Sequence, residues 1–171
     1  MNIPETYNYL IRARRDLWTT LESAPDAMLS LPMLNGPEVR CIKDLVFHIA
    51  GVEDFWIHED ILRDEPVLHT TVALQGLRSG GVCANFPITA LVDYWNAVEQ
   101  STLAFLAGLK EQGLQRAVAL HDSPDERYTL DGLLWHVMLH EVRHTAQIVM
   151  LLRMQGIKPP SLDLLFYLPG A

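Results

Sequence analysis

The chemistry-bearing residues of this sequence gather in two segments. In the later one, Trp135-His136-Val137-Met138-Leu139-His140-Glu141-Val142-Arg143-His144, three histidines follow one another at four-residue steps. At about 100° per residue, His140 and His144 lie roughly 40° apart on a helix, one turn removed, so both imidazoles can address one shared atom. The apolar stripe of Leu133, Leu134, Val137, Ile148, Leu151 and Leu152 contains His144 and has His140 on its edge, and imidazoles carried inward must find partners. His136 turns about 80° away from His144, toward solvent, and is left out of the set. The earlier segment supplies His48, beside Leu45, Ile49 and Val52 and one turn after Asp44. Three imidazoles without a fourth protein ligand are the arrangement of a metal site that keeps one position open, and the donor type suits Zn, Ni, Cu or Fe rather than Mg or Ca. The competing reading leaves His48, His140 and His144 as hydrogen-bonded core and helix-surface residues.

His140-Glu141-Val142-Arg143-His144 also fits the H-E-x-x-H string of zinc peptidases, whose Glu acts as general base. Those enzymes take a further ligand from downstream. Here Asp163 is the only acid after Arg143, no histidine follows His144, and no strand is expected that could align a peptide. Glu141 is the candidate catalytic residue, able to act as general base or to orient His48; its alternative is an interfacial carboxylate paired with an Arg such as Arg12 or Arg143. Gln147, about 20° from His140 two turns on, can reach a ligand at a cavity mouth or simply lie on the helix surface.

The elements that must position these groups read as helices. Apolar spacing of 3.6 recurs in four long stretches, with no sustained alternation of period two. The first runs from about Glu5 to Ser23 behind Asn2 and Pro4, and the second from about Ile42 to Arg63, with an inner face of Ile42, Leu45, Val46, Ile49, Val52 and Trp56. The third begins at Pro87 and ends before Gly113, and the fourth is capped by Thr129 and stops at Gln155 before Gly156. A proline-containing connector from Pro32 to Pro37, with Asn35 and Gly36, joins the first two. Residues 64–86 lose periodicity and hold Pro66, Gly76, Gly80 and Gly81, so a long crossing loop is expected, with room for one helical turn between Val67 and Leu77. The acids Glu53, Asp54, Glu59, Asp60, Asp64 and Glu65 read as a solvated face, and Trp18, Trp56, Trp95 and Trp135 as core or pocket lining.

With 171 residues, 49% of them hydrophobic and 20% charged, the chain is expected to be one domain, residues 1–171, with an all-α four-helix bundle as its fold. A net charge of −8 argues against nucleic acid as a partner. No apolar run is long enough to cross a membrane, Arg12, Arg14, Arg15 and Asp16 interrupt any signal-peptide centre, and two cysteines, Cys41 and Cys83, make no disulfide framework. A cytoplasmic protein is expected.

Ile42-Lys43-Asp44-Leu45-Val46-Phe47-His48-Ile49-Ala50, followed by Glu53 and Trp56, together with Tyr128 to His136, His140-Glu141-x-x-His144-x-x-Gln147 and Leu152-Arg153-x-x-Gly156, resembles the DinB/YfiT-like metal-binding bundles over roughly residues 5 to 156. The resemblance implies a four-helix bundle with long crossing connections, a divalent metal on His48, His140 and His144, with Zn2+ or Ni2+ foremost, and a homodimer. Similar proteins include thiol-dependent S-transferases and isomerases, so it further implies a low-molecular-weight thiol such as bacillithiol or mycothiol and a small electrophilic substrate. The sequence departs from the family where Thr145 and Ala146 stand in place of a common Arg-Gly pair, and where Cys41 replaces a helix-starting Ser or Thr. The expected function is thus that of a metal-dependent, thiol S-transferase-like enzyme. The alternatives are a metallohydrolase in which Glu141 activates water and a non-catalytic, metal-stabilised dimeric binding protein.

Overall fold

The computed structural model describes residues 2–35, 39–78 and 82–168. Gly36, Pro37, Gly80 and Gly81 of the two expected connectors lie outside them. Helix α1 (Ile3–Ser23) opens on a reciprocal capping box between Asn2 and Glu5, with Pro4 in its first turn. One further turn, α2 (Asp26–Leu29), follows it. Helix α3 (Ile42–Phe55) continues as a π-helical segment, Trp56–Leu62, and ends at Arg63 in the left-handed conformation with φ 61°. The start of α3 lacks a Ser or Thr, yet Asp44 accepts from the backbone N–H groups of Arg40 and Cys41 at 2.9 and 3.1 Å, the carboxylate half of a capping box. Short helices α4 (Val67–Thr70) and α5 (Gln75–Arg78) punctuate the crossing connection, which is therefore more ordered than one turn. Helix α6 (Ile88–Gly108) starts after Pro87, and α7 (Leu130–Met154) is capped by the Thr129 hydroxyl, which accepts from Gly132 N–H at 3.1 Å.

The polar stretch before α7 folds into a hairpin, β1 (Ala117–Ala119) against β2 (Arg127–Thr129), antiparallel with Val118 opposite Tyr128. Three-residue strands are too short to print an alternating pattern, which is why the sequence did not announce them.

Helices α1 and α3 each pack on both α6 and α7. Their buried residues divide into two apolar clusters at the two ends of the bundle. One holds Leu17, Leu21, Leu45, Ile49, Leu91, Val98, Ile148 and Leu152; the other holds Ile3, Leu10, Ile57, Ile61, Leu130 and Met138. Following the chain between clusters, α1 and α7 run one way and α3 and α6 the other, so the connection from α3 to α6 must return along the bundle. Between the clusters every long helix contributes polar groups: Arg14 from α1, Glu53 and Asp54 from α3, Glu99 from α6, and His140, Glu141 and His144 from α7. Of the expected solvated face on α3, Glu53 and Asp54 are instead buried, 2% and 0% exposed, because each carboxylate finds enough donors inside to replace water. Trp18 and Trp95 meet edge to face in the core at 5.5 Å. Among the described residues, no helix is long and apolar enough to cross a membrane.

Candidate metal centre

The bundle brings His48, His140 and His144 together. Each offers a ring nitrogen, and the three nitrogens lie within 4.8 Å of one another. His48 Nε2 and His140 Nε2 are 3.1 Å apart; two nitrogens bound at about 2.0–2.1 Å to one tetrahedral zinc would stand about 3.3 Å apart. Ring centroids are 4.9 Å apart for His48 and His140, 4.8 Å for His48 and His144, and 4.3 Å for the i, i+4 pair on α7. The His48–His140 pair already stands at the spacing of two ligands on one ion, while the 4.8 Å that bounds the trio exceeds the roughly 4.2 Å that two such bonds can span, so an ion would draw the rings slightly inward. Among the described residues this is the one group of His, Cys, Asp and Glu that meets in this way.

The environment suits ligation. Burial drives the pKa of His140 down to about 3, helped by His144, His48, His136 and Arg143, so its ring is neutral and keeps a lone pair for a ligand bond. His144 Nδ1 donates to Gln147 Oε1 at 2.6 Å. That bond fixes the tautomer and leaves Nε2 as the free donor, the outer support that metal-bound histidines usually have. Gln147 thus meets a histidine one turn back, a contact its 3-residue spacing already allows. His136 is exposed as expected, with its ring 5.1 Å from that of Trp56 and 6.2 Å from that of His140.

Glu141 does not join the imidazoles. Its two carboxylate oxygens accept from Arg14 Nε and Nη2 at 2.7 and 2.6 Å. The same guanidinium reaches Glu53 at 2.7 Å and Glu99 at 3.2 Å, while Tyr7 hydrogen-bonds Glu53 and Arg15 pairs with Glu99. The expected partners serve elsewhere: Arg12 donates to the Tyr167 carbonyl at 2.5 Å, and Arg143 is exposed. The cause is rotation. Glu141 follows His140 by about 100° around α7, which carries it past the α3 side and toward α1. Burial raises the Glu141 pKa, as do Glu53 and Glu99, against the opposing pull of Arg14; burial likewise works against the Arg14 charge, which Glu141 and Glu53 nonetheless hold above its ordinary pKa. On that same side a cleft of about 410 Å³ opens between α1, α7 and the C-terminal segment, lined by Arg14, Glu141, Thr145, Arg153 and Leu162 among others; it does not include the three histidines.

Arg14 is the residue the sequence reading missed. Its signal was position: it falls four residues after Leu10 and four before Trp18, inside the apolar stripe of α1, where an unpaired charge cannot stay. Asp44, which precedes His48 by a turn, is engaged at the helix start and has no part in the trio.

The family model described as DinB family matches residues 1–171. The chain belongs to the DinB family. Solved structures agree in fold with this DinB-family chain. A conserved protein from Enterococcus faecalis superposes with a TM-score of 0.71 at 18% identity, covering 90% of this chain and 97% of that one. A DinB-like protein from Bacillus cereus gives 0.63 at 15% identity over 93% and 94% of the two chains. YfiT from Bacillus subtilis, described as a probable metal-dependent hydrolase with an unusual four-helix bundle topology, gives 0.65 at 17% identity over 90% and 87%. No curated protein matches the chain.

Proposed function

We propose that this DinB-family protein is a metal-dependent enzyme that transfers a low-molecular-weight thiol to a small electrophile, with His48, His140 and His144 holding a divalent ion, Zn2+ or Ni2+. The observation that carries the reading is the convergence of three imidazole nitrogens from α3 and α7 within 4.8 Å, with no carboxylate among them. A metal bound there would supply one thing, a lowered pKa for a thiol or water at its remaining position.

The rest is the chain's own work. His140 stays neutral, Gln147 presents His144 by its Nε2, and the buried ion pair of Glu141 with Arg14 ties α7 to α1. The engagement of Glu141 favours a thiol over water as nucleophile. A thiol's pKa near 8.5 needs little lowering to ionise at neutral pH, whereas hydrolysis of the peptidase type relies on a carboxylate base that Arg14 here occupies. The metal-dependent hydrolase reading draws on the description of YfiT and is the second outcome of the same experiment. The reading takes the working unit as a homodimer in the cytosol, consistent with Cys41 and Cys83 as free thiols.

Elemental analysis of protein purified without chelators or a histidine tag should find about one transition ion per chain, and His48→Ala and His144→Ala should abolish it. Metal-replete protein is then assayed with thiols against electrophiles and with a panel of esters and amides. Thiol consumption supports the transferase, thiol-independent cleavage transfers the assignment to a hydrolase, and no turnover in either overturns the enzymatic reading.

A further inference from the structure

A second constellation of reactive groups lies away from the imidazole trio, where the π-helical end of α3 meets α6. His58, on that π-helical segment, is 4% exposed, and one side of its ring meets Asp54, one helical turn earlier on α3, with Nδ1 2.8 Å from Oδ1. The other side meets Ser101 of α6, with Nε2 2.8 Å from Oγ. Asp54 is itself fully buried and held from three directions. Tyr94 O–H donates to its Oδ2 at 2.7 Å, Leu68 N–H to Oδ2 at 2.9 Å and Val67 N–H to Oδ1 at 2.9 Å.

These contacts fix the protons. Burial resists ionisation of Asp54, but His58, both backbone N–H groups and Tyr94 together keep its pKa below the ordinary carboxylate value, so it is an acceptor only. Asp54 also raises the His58 pKa, so the ring acts as a base once pH exceeds that raised value; Nδ1, facing Asp54 Oδ1 and the Asp54 carbonyl, then keeps the hydrogen and Nε2 turns its lone pair on the Ser101 hydroxyl. A hydroxyl, an imidazole base and a buried carboxylate that sets the tautomer are the three roles of an activated serine, a set recognised by geometry on any fold. Its spacing is also built by the backbone. Asp54 and His58 share one face of α3, while Tyr94 and Ser101, seven residues apart on α6, face them two turns apart.

We propose that Ser101, with His58 as general base and Asp54 as its positioning residue, is a second nucleophile of this protein, independent of the three-histidine group and reactive toward small activated esters. Ser101 is half-buried, which restricts the reachable electrophile to compact acyl and organophosphorus groups. In the step, Ser101 Oγ forms a bond to the acyl carbon as the carbon–oxygen bond of the leaving group breaks. The hydroxyl proton passes to His58 Nε2 and on to the departing oxygen, and water then releases the acid by the reverse path.

The test uses the protein as purified and a small fluorophosphonate, which forms an O–P bond at an activated serine with loss of fluoride. Peptide mapping should place the adduct on Ser101, Ser101→Ala should remove it, and His58→Gln should slow it at least tenfold, since a positioned base contributes about 10²–10⁴-fold. His48→Ala, which removes one of the three histidines, should label at the parent rate, so the fate of this site and that of the proposed metal reaction are read separately. An unlabelled Ser101 in the folded parent protein overturns the proposal without recourse to any variant. Equal labelling of His58→Gln, or adducts spread evenly over other hydroxyls, overturns it as well.

Discussion

Two polar clusters share the middle of α7, and adjacent residues enter different ones. His140 faces α3 and joins two further imidazoles that remain partly open to solvent; Glu141 faces α1 and joins a knot of charges, in which Arg14, Glu53 and Glu99 are at most 2% exposed. In the knot every carboxylate is met by Arg14, Arg15 or Tyr7. A bundle thereby separates structure from chemistry. A buried charge must be paired to be tolerated at all, and once paired it is committed to holding helices. A neutral imidazole costs little to bury in part and keeps its lone pair for something else.

Substitutions on either side of this divide should differ in what they damage. The largest effect is expected from Arg14→Met, which leaves three buried carboxylates short of their cation; denaturant unfolding should lose about 3–5 kcal/mol. His48→Ala is the mirror case. Metal affinity, followed by competition with a chelating dye, should fall more than 100-fold, because even an outer-shell partner is worth about 10–100-fold, while the unfolding midpoint of the metal-free protein should hardly move. Glu141→Gln should cost about 1–3 kcal/mol of stability by weakening one arm of the knot and leave metal content intact. Turnover cut more than tenfold at unchanged stability would return Glu141 to the reaction and erase the contrast. Gln147→Leu should weaken metal binding about tenfold through the freed tautomer of His144, with no change in unfolding; an unchanged affinity would make that hydrogen bond incidental.

The smallest effect concerns the third polar group, Asp54 with His58. Asp54 is held below its unfolded pKa of about 3.9, so its contribution is present above that pH and lost as pH falls through the folded value. Asp54 raises His58 above its unfolded pKa of about 6.5, against burial and with a further pull from Asp64. The His58 contribution is therefore complete below about pH 6.5 and disappears as pH rises through the folded value. Unfolding midpoints measured from pH 6 to 9 should decline more steeply in the parent than in His58→Gln. Parallel curves would show that the pair is electrostatically idle.

Much of this molecule was legible beforehand because helices are written locally. Asn2, Pro87, Thr129 and Gly156 marked element boundaries, and the 3.6-residue stripe set the faces. The i, i+4 spacing made His140 and His144 a pair before any neighbour was known, and His48 could be recognised as an inward imidazole on a separate helix. Spacing says only which side chains share a face of one helix; it carries no information about what the facing helix presents. The crossing of α7 with α1 decided that Glu141 meets Arg14 rather than the imidazoles, and the docking of α3 on α6 buried Glu53 and Asp54 and set Ser101 against His58. The sequence thus determined a four-helix bundle with three candidate ligands on two helices. Which carboxylates became structural was settled only by tertiary packing, since desolvation and ion pairing depend on partners far apart in the chain.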